Sequence, residues 1–190
     1  MALITGPEII DMIIMTIAAG YIFMDFFQRP TSDDPVEAFK QSSDKMQRFW
    51  YSCALVAPPI ILHELGHKFV AMSMGYTATF QAAYIFLIIG VVIKLLRIPF
   101  IVIVPAYVSI TGVGLTHIQH ATIAFSGPAV NGMLWIASLL VLKTQKLDTN
   151  WLTFWKYSLY INGLLFVFNM LPIPGFDGWK VYAGLYNYFF

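Results

Sequence analysis

Long apolar runs, broken by few charges, set the terms for any fold this chain can adopt. Ile9 to Phe27 carries only Asp11 and Asp25, and Phe49 to Met74, Ala121 to Leu142 and about Phe154 to Leu171 are of similar length. Each is near the ~20 residues a helix needs to cross a hydrocarbon layer of ~30 Å. Charge is gathered elsewhere: of 11 basic and 10 acidic residues, eight lie between Gln28 and Arg48. Hydrophobic residues make up 58% of the chain and charged ones 11%, less than half the roughly 25% of a soluble domain. A water-facing surface cannot be covered with so little polarity, which excludes a soluble enzyme. A net charge of +1 with no basic stripe excludes a nucleic-acid binder. The single cysteine, Cys53, can form no disulfide within the chain.

Ile9 to Phe27 lacks the basic leader and small-residue cleavage site of a signal peptide and is read as structure. Between Tyr84 and Thr111, Lys94, Arg97, Pro99 and Pro105 interrupt the pattern. Tyr84 to Leu96 reads as a helix or re-entrant hairpin, and Phe100 to Thr111, rich in Val and Ile, as an extended segment. Such a segment must be buried in protein or line a cavity. A polar turn, Lys143 to Asn150, separates two spans, and a short helix follows Gly178. The expected fold is a single domain over residues 1–190: an all-α polytopic membrane protein, a bundle of about five to six transmembrane helices with a short extended or β segment. It would sit in the cell membrane as a multi-pass protein, with the lipid bilayer as its surroundings. Orientation stays open, because Arg29, Lys40, Lys45 and Arg48 place the first loop in the cytoplasm by the positive-inside rule.

Within the second run stands His63-Glu64-Leu65-Gly66-His67. Residues four apart share a helix face, so His63 and His67 can offer imidazole nitrogens to one metal ion. Glu64 is then placed to take a proton from a water that the ion activates. An ionisable Glu between two histidines in an apolar span is costly without a task. The plain alternative is a polar patch joining helices. Pro58 and Pro59, one turn earlier, either start a helical segment or kink the span.

A catalytic zinc site uses three protein ligands and one open position. The chain's glutamates are Glu8, Glu37 and Glu64, so none lies downstream, and Val70 stands where the metzincin pattern needs Gly. Asp148, Asp177, His117 and His120 remain. Asp148 sits in a charged turn, and the two histidines in a short polar link. Asp177 follows Asn169-Met170-Leu171-Pro172-Ile173-Pro174-Gly175-Phe176, where an apolar span is broken by prolines. Broken helices are tolerated at depth where protein or a water-filled cavity receives them, and Asp177 is the favoured third ligand.

With Ser126-Gly127-Pro128-Ala129-Val130-Asn131 lying between these two blocks, the sequence resembles the site-2 protease family of intramembrane zinc metalloproteases. The family's last block reads like N-x-x-P-x-P-x-L-D-G; Phe176 stands here where Leu is usual. The resemblance implies one zinc ion per chain held by His63, His67 and Asp177, with Glu64 as general base. It implies hydrolysis of peptide bonds in or near transmembrane segments of membrane-protein substrates. It also maps a substrate- or transition-state-holding role onto Asn169, for which interhelical hydrogen bonding is an equal reading. For Asn131 such bonding, worth about 0.6–2 kcal/mol, is preferred. An unwound substrate could add as a strand to Phe100–Thr111, which reads equally well as a packing segment. The family also keeps its zinc nearer the cytoplasmic face, which would put the first loop outside. The PDZ or nucleotide-sensing modules of many relatives are not found, and the compact form resembles minimal archaeal members or a truncated chain. A zinc-binding but inactive adaptor that grips transmembrane helices is the rival from outside enzymology.

Overall fold

The computed structural model describes residues 3–27, 45–98, 104–112 and 114–190. Among them are α1 (Gly6–Phe23), α2 (Lys45–Ser73), β1 (Thr77–Ala82), α3 (Tyr84–Leu95), β2 (Ala106–Thr111), α4 (His117–Thr144), α5 (Thr149–Asn169) and α6 (Asp177–Phe189). Most of the charged stretch, including Arg29 and Lys40, lies outside the described residues, as does the beginning of the expected extended segment, Phe100 to Ile103.

Local chemistry sets the helix starts. Glu8 Oε2 accepts from the backbone N–H of Thr5 at 2.7 Å and from its hydroxyl at 2.9 Å, and Pro7 supplies a preset φ in the first turn of α1. Thr116 and Gln119 form the same reciprocal pair at the start of α4. Asp148 caps α5 by accepting from Trp151 N–H at 2.9 Å. Pro58 and Pro59 lie inside α2, so they do not begin a segment. Tyr84–Leu95 is one 12-residue helix and not a hairpin.

Helix α4 is the central post, packed against α2, α5 and α6, while α1 packs on α2, β1 and α3. Met15, Ala19, Leu55, Val56, Ile60, Phe80 and Leu87 fill the core between α1, α2, β1 and α3. Two helices, α1 and α4, are long and apolar enough to cross a membrane. Helix α3 is apolar but, at ~1.5 Å per residue, only about 18 Å long. The five to six crossings expected from the apolar runs therefore reduce to two helices that meet the test on length and composition. Histidines, charges and amides in α2 and α5 dilute their hydropathy.

The strands pair antiparallel, with Thr77 opposite Thr111 and Ala82 opposite Ala106. Strand β1 is an element the sequence reading did not foresee; β2 is the second half of the expected extended segment. Phe80 N–H donates to Glu8 Oε1 at 2.8 Å and Ala82 N–H to Asp11 Oδ2 at 3.2 Å. The outward N–H groups of Phe80 and Ala82 on β1 are thus occupied by carboxylates of α1. By the alternation of an antiparallel ladder, Ala106, Val108 and Ile110, opposite Ala82, Phe80 and Ala78, direct their backbone groups away from β1. No third strand pairs there among the described residues.

Glu8 Oε1 also accepts from Lys68 Nζ, and both side chains are 1% exposed. One carboxylate therefore ties the start of α1, strand β1 and the turn of α2 that follows His67. Breaking a buried ion pair from one side costs about 3–5 kcal/mol, whereas replacing both partners by apolar groups costs far less. Glu8→Gln and Lys68→Met are each expected to lower stability by about that amount, and the double variant by clearly less than the sum. Denaturant titration of the four proteins by circular dichroism checks this; additive losses would refute the coupling.

Candidate metal centre

His63 and His67 lie one turn apart on the face of α2 that meets α4, and both are buried. That contact depends on two glycines. A Cβ on Gly66 would stand 2.9 Å from the Ser126 carbonyl oxygen, so its absence lets α4 approach. A Cβ on Gly127 would fall 2.3 Å from His67 Nε2 and 2.7 Å from His63 Nε2. The missing side chain of Gly127 is the space in which the two imidazoles converge.

Asp177 reaches the same point from the opposite end of the chain. Helix α5 ends at Asn169, and the turn through Pro172, Pro174 and Gly175, with Gly175 at φ +103°, carries the backbone to the first residue of α6. A Cβ on Gly178 would lie 2.5 Å from the Met170 carbonyl, so α6 can dock under the turn only with glycine there. The Tyr182 hydroxyl donates to Met170 O at 3.1 Å and closes the contact. Lys180 Nζ stands 3.9 Å from Asp177 Oδ1 at the exposed rim.

His63 Nε2, His67 Nε2 and Asp177 Oδ2 are mutually 3.1 Å apart. A tetrahedral ion with ligands at about 2.0–2.1 Å spaces them by about 3.3 Å, so the triangle is a few tenths of an ångström tight for zinc with one corner open. Proton placement argues for a cation more strongly than spacing does. His67 Nδ1 lies 2.7 Å from the Ile123 carbonyl oxygen, which can only accept, so Nδ1 carries the proton. His63 Nδ1 lies 2.6 Å from Asn131 Oδ1, also an acceptor. In neutral rings both Nε2 atoms then carry lone pairs pointed at each other and at a carboxylate. Such a donor set suits a divalent ion and is repulsive without a cation.

Among the described residues this is the cluster of histidine and carboxylate groups that could hold a metal. Glu64, half-buried, lies within electrostatic reach of His63, His67 and Asp177. Asn131, fully buried, is tied to a ligand ring and not turned towards open space. Asn169 Nδ2 donates to Leu165 O, one turn back in its own helix, at 3.0 Å. Asp148 is an exposed helix cap, and His117 and His120 are exposed in the first turn of α4. Two contributors escaped the sequence reading. Gly127 stood inside a quoted block without a role, and Asn162, buried in α5, carried the one available signal, an amide in an apolar span.

No family model and no solved structure matches the chain. By sequence it is similar to a protein of Methanocaldococcus jannaschii named "Putative zinc metalloprotease", with 32% identity over 176 residues, 92% of this chain and 82% of that protein.

Gly127→Ala is expected to abolish stoichiometric zinc uptake, because its methyl would occupy the converging point of the rings. Asp177→Ala should lower zinc per chain, whereas Asp148→Ala should leave zinc unchanged and cost only about 1 kcal/mol of cap stability. Elemental analysis of the purified proteins checks all three; loss of zinc in Asp148→Ala alone would reverse the ligand assignment.

Proposed function

Because the chain belongs to the zinc metalloprotease family of its Methanocaldococcus jannaschii relative, we propose that it is an intramembrane zinc endopeptidase of the site-2 type. Its substrates are transmembrane protein segments, cut in or near the bilayer. The observation that carries this reading is the 3.1 Å triangle of His63, His67 and Asp177 with Glu64 beside it.

The distribution of polarity supports the membrane part of the proposal. Ser52, His63, His67, Lys68, Asn131, Ser138 and Asn162 are buried, whereas Ile10, Ile13, Ile85, Ile88, Met133 and Leu140 are exposed. A protein with polar groups inside and large apolar side chains outside suits a hydrocarbon solvent. On this reading α2 and α5 also lie within the bilayer, with Ser52, His63, His67, Lys68 and Asn162 turned inward, and the protein is multi-pass.

A bound zinc ion supplies Lewis acidity, polarising the scissile carbonyl and lowering the pKa of a water to near 7. The chain's own groups do the rest. Asn131 and the Ile123 carbonyl hold the two rings. Glu64 takes the proton of the attacking water and returns it to the leaving nitrogen, a general-base role worth typically 10²–10⁴-fold. Substrate adds to β2 as an extended strand, since α1 carboxylates occupy the other edge of the sheet. Val108 and Ile110 on β2 pack against the cluster of Ala71, Ala78 and Ile123, and Ala71 lies one turn beyond His67, which supports this choice of edge.

Glu64→Gln is expected to keep one zinc per chain and to lose at least ~10²-fold in cleavage of a labelled transmembrane peptide in detergent. A parent protein that holds zinc and cuts no membrane peptide would favour the adaptor reading. Val108→Pro, which removes an outward donor and spares the β1–β2 ladder, should slow cleavage by about three- to tenfold, the weight of one backbone hydrogen bond. Its zinc content should stay at the parent level; unchanged kinetics would exclude pairing at this edge.

A further inference from the structure

A chain of buried amides and hydroxyls runs from the metal centre into the α4–α5 interface. Asn131 uses both hydrogens of its amide nitrogen, donating to Pro59 O in α2 at 3.2 Å and to Asn162 Oδ1 in α5 at 3.1 Å. Asn162 Nδ2 donates to Ser158 O at 2.8 Å and lies 3.2 Å from Ser158 Oγ. Ser158 Oγ and Ser138 Oγ are 2.9 Å apart, and Ser138 Oγ donates to Leu134 O at 2.8 Å. Asn131, Ser138 and Asn162 are at most 1% exposed.

The carbonyls in this chain orient its two amides. Those of Leu134, Ser158 and Pro59 can only accept. With the Ser138 hydrogen given to Leu134 O, Ser158 is the donor to Ser138. The Ser158 carbonyl forces the nitrogen side of Asn162 towards it, which turns Oδ1 to Asn131. Pro59 O and Asn162 Oδ1 together fix the nitrogen side of Asn131, which leaves its Oδ1 facing His63 Nδ1. An Asn131 amide turned the other way would press N–H groups against His63 Nδ1 and drive the ring proton to Nε2, where it would block the ligand lone pair.

We propose that Asn162 is a positioning residue for the metal centre: acting through Asn131, it fixes the Nδ1–H tautomer of His63 and so aims the Nε2 lone pair at the ion. It touches neither ion nor substrate. The inference rests on the metal-centre reading but not on the choice of substrate, because its readout is affinity for zinc itself.

The test uses the full chain purified in detergent, the parent beside Asn131→Leu, Asn162→Leu, Asn162→Asp and Ser158→Ala. Asn162→Asp keeps an acceptor for Asn131, while leucine of similar volume removes it. Zinc affinity is read by competition with a chromophoric chelator, and melting is followed on the metal-free proteins. Loss of an outer partner of a metal-ligating histidine typically weakens binding 10–100-fold. The two leucine variants are expected to lose at least ~10-fold in affinity, with a shifted visible spectrum in their cobalt-loaded forms. Asn162→Asp should recover most of that loss, and Ser158→Ala, which leaves the Ser158 carbonyl in place, should stay within about twofold of the parent. Parent-like affinity in a folded Asn162→Leu protein would overturn the proposal. If the leucine variants do not fold, nitrogen-15 spectra of histidine-labelled, zinc-loaded parent protein still decide: a His63 proton on Nδ1 supports the proposal, and one on Nε2 overturns it. A parent that takes up no zinc overturns the metal-centre reading and this inference with it, whereas a zinc-loaded parent that cuts no peptide overturns only the protease reading.

Discussion

Two imidazole Nε2 atoms and one carboxylate oxygen face a common point, and the rest of the architecture is arranged around that meeting. Three lone pairs 3.1 Å apart repel one another unless a cation stands between them. The fold holds them there by backbone means that do not depend on the ion: Gly127 vacates the space, Gly66 brings α4 close to α2, and the Ile123 carbonyl takes the His67 proton. Rigid helices bear the two histidines, which suits a centre whose ligand spacing tolerates little drift.

The convergence of His63 and His67 was legible in the sequence because helical periodicity maps directly onto geometry, and four residues on one face is a short-range fact. Asp177, 110 residues after His67, could be reached only by exclusion and by the proline-broken block before it. The structure brings it to the histidines. Strand β1 was not legible. Thr77–Ala82 is only six residues long, alternates polar with mostly small apolar side chains, and begins four residues after the end of a 29-residue helix. Its stabilisation comes from α1 carboxylates about seventy residues earlier, which no local window contains. The helical segments emerged within a few residues of their expected bounds, yet apolar run length overstated how many pass as membrane spans. Polar side chains that face inward lower a helix's hydropathy as much as outward ones do, so α2, with Ser52, His63, His67 and Lys68 buried, and α5, with Asn162 buried, fall short on composition.

The polar interior has its own logic. Lys68 and Glu8 sit one residue beyond His67 and at the first turn of α1, and their pairing couples the helix bearing the histidines to the strand that packs on it. Such a pair contributes little net energy compared with a hydrophobic contact, but each partner makes any other arrangement of the other expensive. The amide and hydroxyl chain through Asn131 and Asn162 works the same way between α4 and α5. Both devices specify geometry more than they add stability.

Asp177 stands on α6, joined to α5 by only the short turn through Pro172 and Gly175, while His63 and His67 stand on α2. An ion held at this point would therefore link its own uptake to the seating of α6: whatever free energy it gained at Asp177 would also be adhesion between that helix and the centre of the fold, and the metal would act as a rivet.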